Sequence, residues 1–272
     1  MDDRHPPPPQ LPPLAILGSD LLHITRLQRI RTLLTPFAVI ALYIFFASLR
    51  LWPLAVLMLI YLSFATYGSI SHDLVHRNLG LPRRWNEFLL TVIEFLAFRS
   101  GHAYRMAHLH HHARFPHDDD IEGAAARMSF LRTIVEGIIF QPRIMIWAVA
   151  RHRRAHALVI VEITGVLLLL VFCFATIPLT PIFAIYAVLM IMGSWIIPLV
   201  TSYVPHNPQG QTAFSQTRLF RGTIASVIAL EHLYHLEHHF YPNVPHHNWP
   251  MLAKRLDPYF KTAGVEPIIL GF

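Results

Sequence analysis

The chain has 272 residues, of which 54% are hydrophobic and only 14% are charged. A soluble domain carries about a quarter charged residues, so this deficit and the mean hydropathy of +0.42 argue against a soluble enzyme and indicate a membrane protein. The net charge of +6 does not indicate nucleic-acid binding, because Lys and Arg flank apolar runs instead of forming a basic stripe. The single cysteine, Cys173, excludes disulfides and thiolate metal sites.

The N-terminal residues are rich in proline, and we expect residues 1–18 to be a disordered tail before one membrane domain over residues 19–272. Their acidic, proline-rich composition is not that of a cleavable signal peptide. After this tail, Ser19 or Asp20 is the expected cap of an amphipathic surface helix that leads into the bilayer.

Four apolar runs are close to the ~20 residues that are needed to cross a bilayer. They come in two pairs with short connections, which predicts two transmembrane hairpins. We expect the spans at about 33–49, 52–70, 157–176 and 180–204. The stretches 87–98 and 131–150 are too short or carry charges, so we expect both at the interface. The predicted fold is all-α, with a histidine-rich cap on one side of the membrane.

The distribution of Lys and Arg predicts the orientation of these spans. The connection within the first pair contains only Arg50, and the connection within the second pair contains no charge. The other basic residues belong to the opposite side, which the positive-inside rule makes cytoplasmic. Both termini and the histidines are therefore expected in the cytoplasm, and the bacterial inner membrane is the expected location.

All 19 histidines lie outside the four predicted spans. Three clusters have metal-ligand spacing, since one has histidines at i and i+4 and two have histidines at i, i+3 and i+4. They are His72 and His76; His108, His111 and His112; and His235, His238 and His239. His206 stands alone after the fourth span, and isolated histidines such as His246 and His247 are expected to be interfacial anchors. One zinc takes about four ligands, so eight or nine clustered histidines predict two metal ions. Imidazole suits Fe, Zn, Cu or Ni, so the identity of the metal stays open at this point.

These motifs resemble the three histidine boxes of the membrane fatty acid desaturase superfamily, which includes acyl desaturases and beta-carotene hydroxylases and ketolases. The stretch from Tyr234 to Pro245 resembles the third box with its trailing prolines. The segment Tyr203-Val-Pro-His206-Asn-Pro resembles the isolated ligand segment that precedes that box. The resemblance covers about residues 70–261, and it implies a di-iron centre, four spans and oxidation of an unactivated C–H bond with O2.

Carried over to this sequence, the resemblance implies nine metal ligands and no further catalytic side chain. The ligands would be His72, His76, His108, His111, His112, His206, His235, His238 and His239. His110 is expected to be a spacer, and His232 is a candidate for a tenth ligand or for a residue that supports one. Asp73 and Glu237 are candidate acceptors for ligand imidazoles, whereas Asp118–Asp120 is expected to be a solvated loop.

The resemblance favours a membrane oxidoreductase that uses two irons, O2 and external electrons to desaturate or hydroxylate a fatty acyl lipid. A carotenoid ring hydroxylase or ketolase is the alternative. A metal-binding transporter or sensor is a remote one, since no polar groups for transport are expected in the spans. The chain has no motif for haem, flavin or an iron–sulfur cluster, so a donor of ferredoxin or cytochrome type is implied. Candidate contacts for this donor, or for anionic lipid, are Arg83, Arg84, Arg151, Arg153 and Arg154.

Overall fold

The computed structural model describes residues 11–151, 156–222 and 232–271. These residues are mainly helical, as predicted, with one parallel pair of two-residue strands, β1 (Phe220–Arg221) and β2 (Ile268–Ile269). The helices are α1 (Leu14–Leu17), α2 (Arg26–Ser48), α3 (Trp52–Ala65), α4 (Ser71–His76), α5 (Arg83–Leu96), α6 (Gly101–Arg114), α7 (Phe130–Arg151), α8 (His156–Ala175), α9 (Ile182–Ser194), α10 (Ala213–Gln216), α11 (His235–Phe240) and α12 (Trp249–Thr262).

Helices α2 and α3 are apolar, consecutive in the chain and packed against each other. Helix α2 begins at Arg26, because the Thr25 hydroxyl accepts a hydrogen bond from the backbone N–H of Gln28. The Gln28 side chain accepts one in return from the Thr25 N–H, which completes a capping box. The expected cap at Ser19 or Asp20 is wrong, since these residues form a separate 3₁₀ turn. A single helix therefore includes both the predicted surface segment and the first apolar run.

Helices α8 and α9 also pack against each other, and α9 packs against α3. The packing of α9 on α3 is close, because a Cβ on Gly193 would lie 2.7 Å from Ser63 Oγ. Small residues allow this approach between helices in lipid. On α2, the Tyr43 hydroxyl donates to the backbone carbonyl of Ile182 over 2.6 Å. Side chains that face outward are apolar and exposed, as at Leu168, which is the surface expected of a helix in a bilayer.

Five helical stretches in the described part of the chain are long and apolar enough to cross a membrane. Four of them match the predicted spans: Ser19–Ser48, Trp52–His76, His156–Ala175 and Ile182–Tyr203. The fifth, Phe130–Arg151, is the segment that is predicted to be interfacial. Its length and composition resemble those of the other four, so these two properties are compatible with four spans and with five.

Two π-helical turns, Thr66–Ile70 and Leu199–Tyr203, follow the regular parts of α3 and α9. A π-helical turn contains one residue more than an α-helical turn, so it changes the direction of the side chains that follow, and it is frequent at functional sites. The first turn precedes His72 and His76, and the second precedes His206. Both irregular turns thus stand directly before candidate metal ligands.

Glu162 is an acidic residue within the predicted span of α8, and it corrects the expectation that the spans contain no polar group. Its carboxylate accepts hydrogen bonds from the Thr91 and Ser100 hydroxyls and lies 2.7 Å from His102 Nδ1. The residue is only 7% exposed. Because both oxygens bind groups on or beside α5 and α6, Glu162 joins α8 to these helices and does not line a path across the membrane.

The C-terminal part of the chain forms a cap that also holds the N-terminal residues. Leu17 and Leu21 are buried in one apolar cluster with Leu252 of α12, and the Tyr241 hydroxyl donates to the carbonyl of Pro12 over 2.7 Å. Of the expected disordered tail, residues 1–10 lie outside the described residues. Its described part, residues 11–18, is packed against the cap.

Candidate metal centre

Nine histidines converge on two neighbouring points. One group contains His72, His76, His108, His112 and His238, and the other contains His111, His206, His235 and His239. Within each group, one ring nitrogen from every histidine lies within 4.8 Å of all the others. The groups adjoin each other, since the ring centroids of His112 and His239 are 4.6 Å apart. The structure therefore brings together all nine histidines that the resemblance implies as ligands.

Helices α6 and α11 each contribute to both groups. On α6, His108 and His112 are one helical turn apart and belong to the first group, whereas His111 belongs to the second. On α11 the division is reversed. His238 belongs to the first group, whereas His235 and His239, which are one helical turn apart, belong to the second. Each three-histidine box therefore supplies two nitrogens to one point and one to the other.

The nitrogen positions fit metal coordination better than hydrogen bonding. His206 Nδ1 lies 3.0 Å from the carbonyl oxygen of Ser202 and donates to it, which leaves one lone pair on Nε2. That Nε2 atom is 3.1–3.2 Å from Nε2 of three other histidines, and one lone pair cannot serve three N–H donors. Nitrogens that bind one ion at about 2.0–2.1 Å lie about 3 Å apart. The donor set therefore fits a metal ion in each group.

Two carboxylates hold the outer nitrogens of ligand candidates on α6. Asp120 Oδ2 lies 2.8 Å from His111 Nδ1, and the Glu122 carboxylate lies 3.1 Å from His108 Nδ1. An acceptor at Nδ1 fixes the ring and directs the lone pair of Nε2 inward. Asp120 belongs to the run that is expected to be a solvated loop, and that expectation is wrong for this residue, which is fully buried. Glu122 has no local sequence signal beyond its position in the same loop.

Burial keeps most of these imidazoles neutral, which is the form that binds metals. Burial and then the neighbouring imidazoles lower the pKa of His235, His238 and His239 well below the ordinary value. His111 is the exception, because the hydrogen bond and charge of Asp120 outweigh the effect of burial and raise its pKa. The same contact lowers the pKa of Asp120 despite burial.

The family model described as fatty acid desaturase matches residues 47–269, well over half of the chain, and this range includes all nine converging histidines. The chain belongs to the fatty acid desaturase family. Comparison with curated proteins gives no match. Membership in this family agrees with the resemblance of the histidine boxes, and it indicates an oxidoreductase whose histidine clusters are positioned to hold a metal.

Two acidic residues that are expected to accept hydrogen bonds from the metal-binding imidazoles have other partners in the structure. Asp73 accepts hydrogen bonds from the backbone N–H and from Nδ1 of His246, at 3.0 and 2.6 Å. Glu237 lies 2.7 Å from Arg221 Nη2, and its burial raises its pKa to about 7. Neither carboxylate therefore orients a ligand through these contacts. His246, which is expected to be an interfacial anchor, is instead a buried partner of Asp73.

His110 and His232 belong to neither group. His110 Nε2 lies 3.2 Å from the backbone oxygen of Asp119, on the side of α6 away from the two metal positions. The ring of His232 bonds to the backbone of Phe64, and its buried Nε2 has no hydrogen-bond partner among the described residues. A Cβ on Gly68 would lie 1.7 Å from that Nε2, so the absence of a side chain at position 68 makes room for the His232 ring.

Two small neighbouring cavities, together called the slot, lie between the two histidine groups and the membrane part of this desaturase-family chain. A cavity of about 30 Å³ lies against His72, His108, His111 and His235. A second cavity of about 10 Å³ lies farther along, between α3 and α9. Both are lined by residues that include Tyr67, Val200, Thr201 and His232. The shared lining places the second cavity next to the first, in the direction of the apolar space between α3 and α9.

Proposed function

We propose that the chain is a non-haem di-iron oxidoreductase that uses O2 and external electrons to desaturate or hydroxylate an unactivated C–H bond of a fatty acyl lipid. The observation that carries the proposal is the pair of adjoining all-imidazole groups, five and four nitrogens, in a chain of the fatty acid desaturase family. Imidazole suits iron among other metals, and the family favours iron. No protein nucleophile is needed for this reaction.

The nine histidines would hold two irons, which would supply the reduction of O2 that drives removal of hydrogen from the substrate. The other residues of the site prepare this binding. Asp120, Glu122 and the Ser202 carbonyl retain protons on the outer nitrogens of three histidines. The inner nitrogens then face the metal positions as neutral donors.

The slot beside His232 is the proposed approach for the substrate. It begins at the histidine groups and continues between α3 and α9, where apolar side chains such as Ile196, Ile197 and Val200 exclude water. An acyl chain has only C–H groups to present there, which fits an apolar channel. The two cavities are small, so we expect side chains such as Phe64 to move when a chain enters.

The proposed topology has four spans with both termini cytoplasmic. Helix α4 and the segment after α9 both supply ligand candidates, so the C-terminal ends of α3 and α9 lie on the side of the metal centre. Only residues 176–181 separate α8 from α9. This short connection supports a hairpin, in which the N-terminal end of α8, at His156, is also on the side of the metal centre.

Helix α7 is then best explained as an interfacial helix, because both of its ends contact the loop that carries Asp120. Near its start, the Thr133 hydroxyl donates to the carbonyl of Ala125 over 3.4 Å. At its end, Arg151 Nη2 lies 3.3 Å from Asp119 Oδ2. A helix that crossed the bilayer would separate these two ends by about 30 Å across the membrane. This arrangement supports four spans and not five.

Basic residues near the solvent side of the metal centre support docking of an acidic ferredoxin or cytochrome. Arg77 directly follows His76, Arg114 follows His112 by two residues, and both side chains are about half exposed. Arg83 and Arg84 are also exposed, and Arg153 and Arg154 lie outside the described residues. A cluster of one charge sign speeds association with a partner of the opposite sign.

The test is expression of the chain and of a His238→Ala variant in hosts that make simple acyl lipids or beta-carotene. The purified protein is expected to contain two irons, and the extract is expected to contain new unsaturated or hydroxylated acyl chains that the variant does not make. Products from beta-carotene alone would favour the carotenoid ring hydroxylase or ketolase. One zinc with negligible iron, and no oxygen consumption, would contradict the proposal and favour a metal transporter or sensor.

A further inference from the structure

A third and larger cavity lies between α7, α8 and α9, away from the histidine groups. Its volume is about 310 Å³, which is in the range of small-molecule binding sites. The lining is mainly aliphatic and includes Val166 of α8, with Gln141 of α7 and Ser194 of α9 as its polar members. None of the described residues that line it is charged.

The cavity opens sideways toward the bilayer. Ile138 and Ile146 of α7 and Leu167 of α8 line it, yet these side chains are 70%, 69% and 57% exposed. Exposed aliphatic side chains face hydrocarbon both on a helix that crosses the bilayer and on the apolar side of an interfacial helix such as α7. A molecule that reaches this cavity therefore comes from the lipid phase.

Helix α9 separates this cavity from the slot at the metal centre. Ser194 lines the cavity, whereas its neighbour Gly193 lines the slot on another face of the helix. Helix α7 is fixed on α9 here, since Trp195 Nε1 donates to the Ile134 carbonyl over 2.6 Å. A Cβ on Gly137 would lie 2.0 Å from the Trp195 carbonyl oxygen. The cavity is thus a recess beside the reaction site and not part of it.

Gln141 brings a buried hydrogen-bond donor to this recess. The residue is 9% exposed, and its Nε2 atom is buried without a hydrogen-bond partner among the described residues. A buried amide donor in an aliphatic environment is costly unless it meets an acceptor. The Ser194 hydroxyl is engaged, since it donates to the Met190 carbonyl over 3.1 Å. An apolar molecule that carries an acceptor oxygen would satisfy Gln141.

We propose that this recess binds one acyl chain of a bilayer lipid, with the ester carbonyl oxygen accepting a hydrogen bond from Gln141 Nε2. The aliphatic lining and the opening toward the bilayer select a hydrocarbon chain. The absence of a charge among the described lining residues selects a neutral ester over an ionised carboxylate, which would be buried without a counter-ion. The site is distinct from the reaction site, and its occupancy does not depend on the proposed reaction.

The test is photolabelling of the full chain in lipid nanodiscs. The probes are a phosphatidylethanolamine with a diazirine in one acyl chain, its ether-linked analogue without the carbonyl, and a diazirine fatty acid. We expect the ester probe to label Ile163 and Val166, which both line the recess on α8, several-fold more than the ether probe. Gln141→Leu should make ester and ether labelling equal, and Val166→Phe should reduce both. Leu168→Phe, on the outward face of the same helix, is the matched control and should change neither.

Equal labelling by the ester and ether probes in the unmodified chain would overturn the proposed contact with Gln141. Labelling that neither Gln141→Leu nor Val166→Phe changes would overturn binding within the recess, and stronger labelling by the fatty acid would overturn the neutral ester. Iron content is measured on every variant. Because labelling does not require iron or turnover, failure of this site and failure of the proposed reaction give different results.

Discussion

Asp120 Oδ2 lies 2.8 Å from Nδ1 of His111, and both side chains are buried. The backbone N–H of Gly123 donates to the other oxygen of the carboxylate over 3.0 Å. This second contact holds Asp120 in place, so the carboxylate fixes the direction of the His111 ring. The loop after α6 thereby contributes to the metal centre without supplying a ligand candidate of its own.

Replacement of this carboxylate should weaken metal binding. Asp120→Asn removes the charge that supports a protonated Nδ1, and loss of such a partner typically costs 10–100-fold in metal affinity. Competition with a chelator would measure the affinity for iron. Asp118→Asn is the matched control, because the Asp118 side chain is fully exposed in the same loop. Equal affinities for iron in the two variants would contradict a role of Asp120 in metal binding.

The sequence predicts which histidines converge because their spacing is local. An i, i+3, i+4 pattern places three side chains on one face of a helix whatever surrounds it. The division of the nine histidines between two groups was not predictable in this way. It depends on how α6 and α11 cross, and therefore on contacts between residues such as His112 and His238 that are 126 positions apart.

The contacts that the sequence does not predict are those whose two partners are distant in the chain. Glu162 binds Thr91, 71 positions earlier, and nothing near Glu162 in the sequence indicates this contact. Asp73 has a ligand candidate on the preceding residue, yet its carboxylate binds His246 in the cap. The role of a carboxylate beside a ligand thus depends on which helix it faces, and sequence adjacency does not determine that.

His206 offers a direct test of the four-nitrogen group. Its Nε2 atom lies 3.1–3.2 Å from those of His111, His235 and His239, so it is central to that group. His206→Ala should lower iron from two toward one per chain and abolish turnover, while the protein still inserts. His23→Ala changes an exposed histidine and should keep both irons. Two irons and full turnover in His206→Ala would leave an eight-histidine centre.

His232 should behave differently from a ligand. It lies outside both groups, and its unpartnered Nε2 faces the slot. His232→Phe is therefore expected to retain two irons but to change the turnover rate or the position of oxidation, because the slot changes shape and loses its acceptor. Metal analysis and mass spectrometry of the products would separate the two effects. Loss of one iron in this variant would make His232 a ligand.

Glu162 should matter for stability and not for iron binding. Glu162→Leu leaves His102, Thr91 and Ser100 without their acceptor, and breaking a buried pair costs about 3–5 kcal/mol. Thermal unfolding in detergent should show a lower transition temperature for Glu162→Leu than for the unmodified chain. Glu266→Leu, at an exposed position, should leave the transition temperature unchanged. An unchanged transition in Glu162→Leu would contradict the anchoring role.

The contribution of the Glu162–His102 pair should also depend on pH. The hydrogen bond to Glu162 is the largest cause that raises the pKa of His102 above its ordinary value. A raised pKa in the folded state stabilises the fold below the ordinary value of about 6.5, and this contribution is lost as the pH rises through the folded-state pKa. The difference in stability between the unmodified chain and Glu162→Gln should therefore be larger at pH 6 than at pH 9. A difference that grows with pH would contradict this assignment.

The orientation of α7 can be tested by labelling of single cysteines in intact membranes. In a Cys173→Ser background, Ser129→Cys and Arg151→Cys report the two ends of α7, and Arg50→Cys and Leu179→Cys report the hairpin turns. Because both ends of α7 contact the loop that carries Asp120, Ser129→Cys and Arg151→Cys should react only from the cytoplasmic side. Arg50→Cys and Leu179→Cys should react only from the outer side. If Arg151→Cys instead reacts from the outer side, α7 crosses the membrane, and the proposed positions of α8 and α9 are wrong as well, since His156 follows only five residues later.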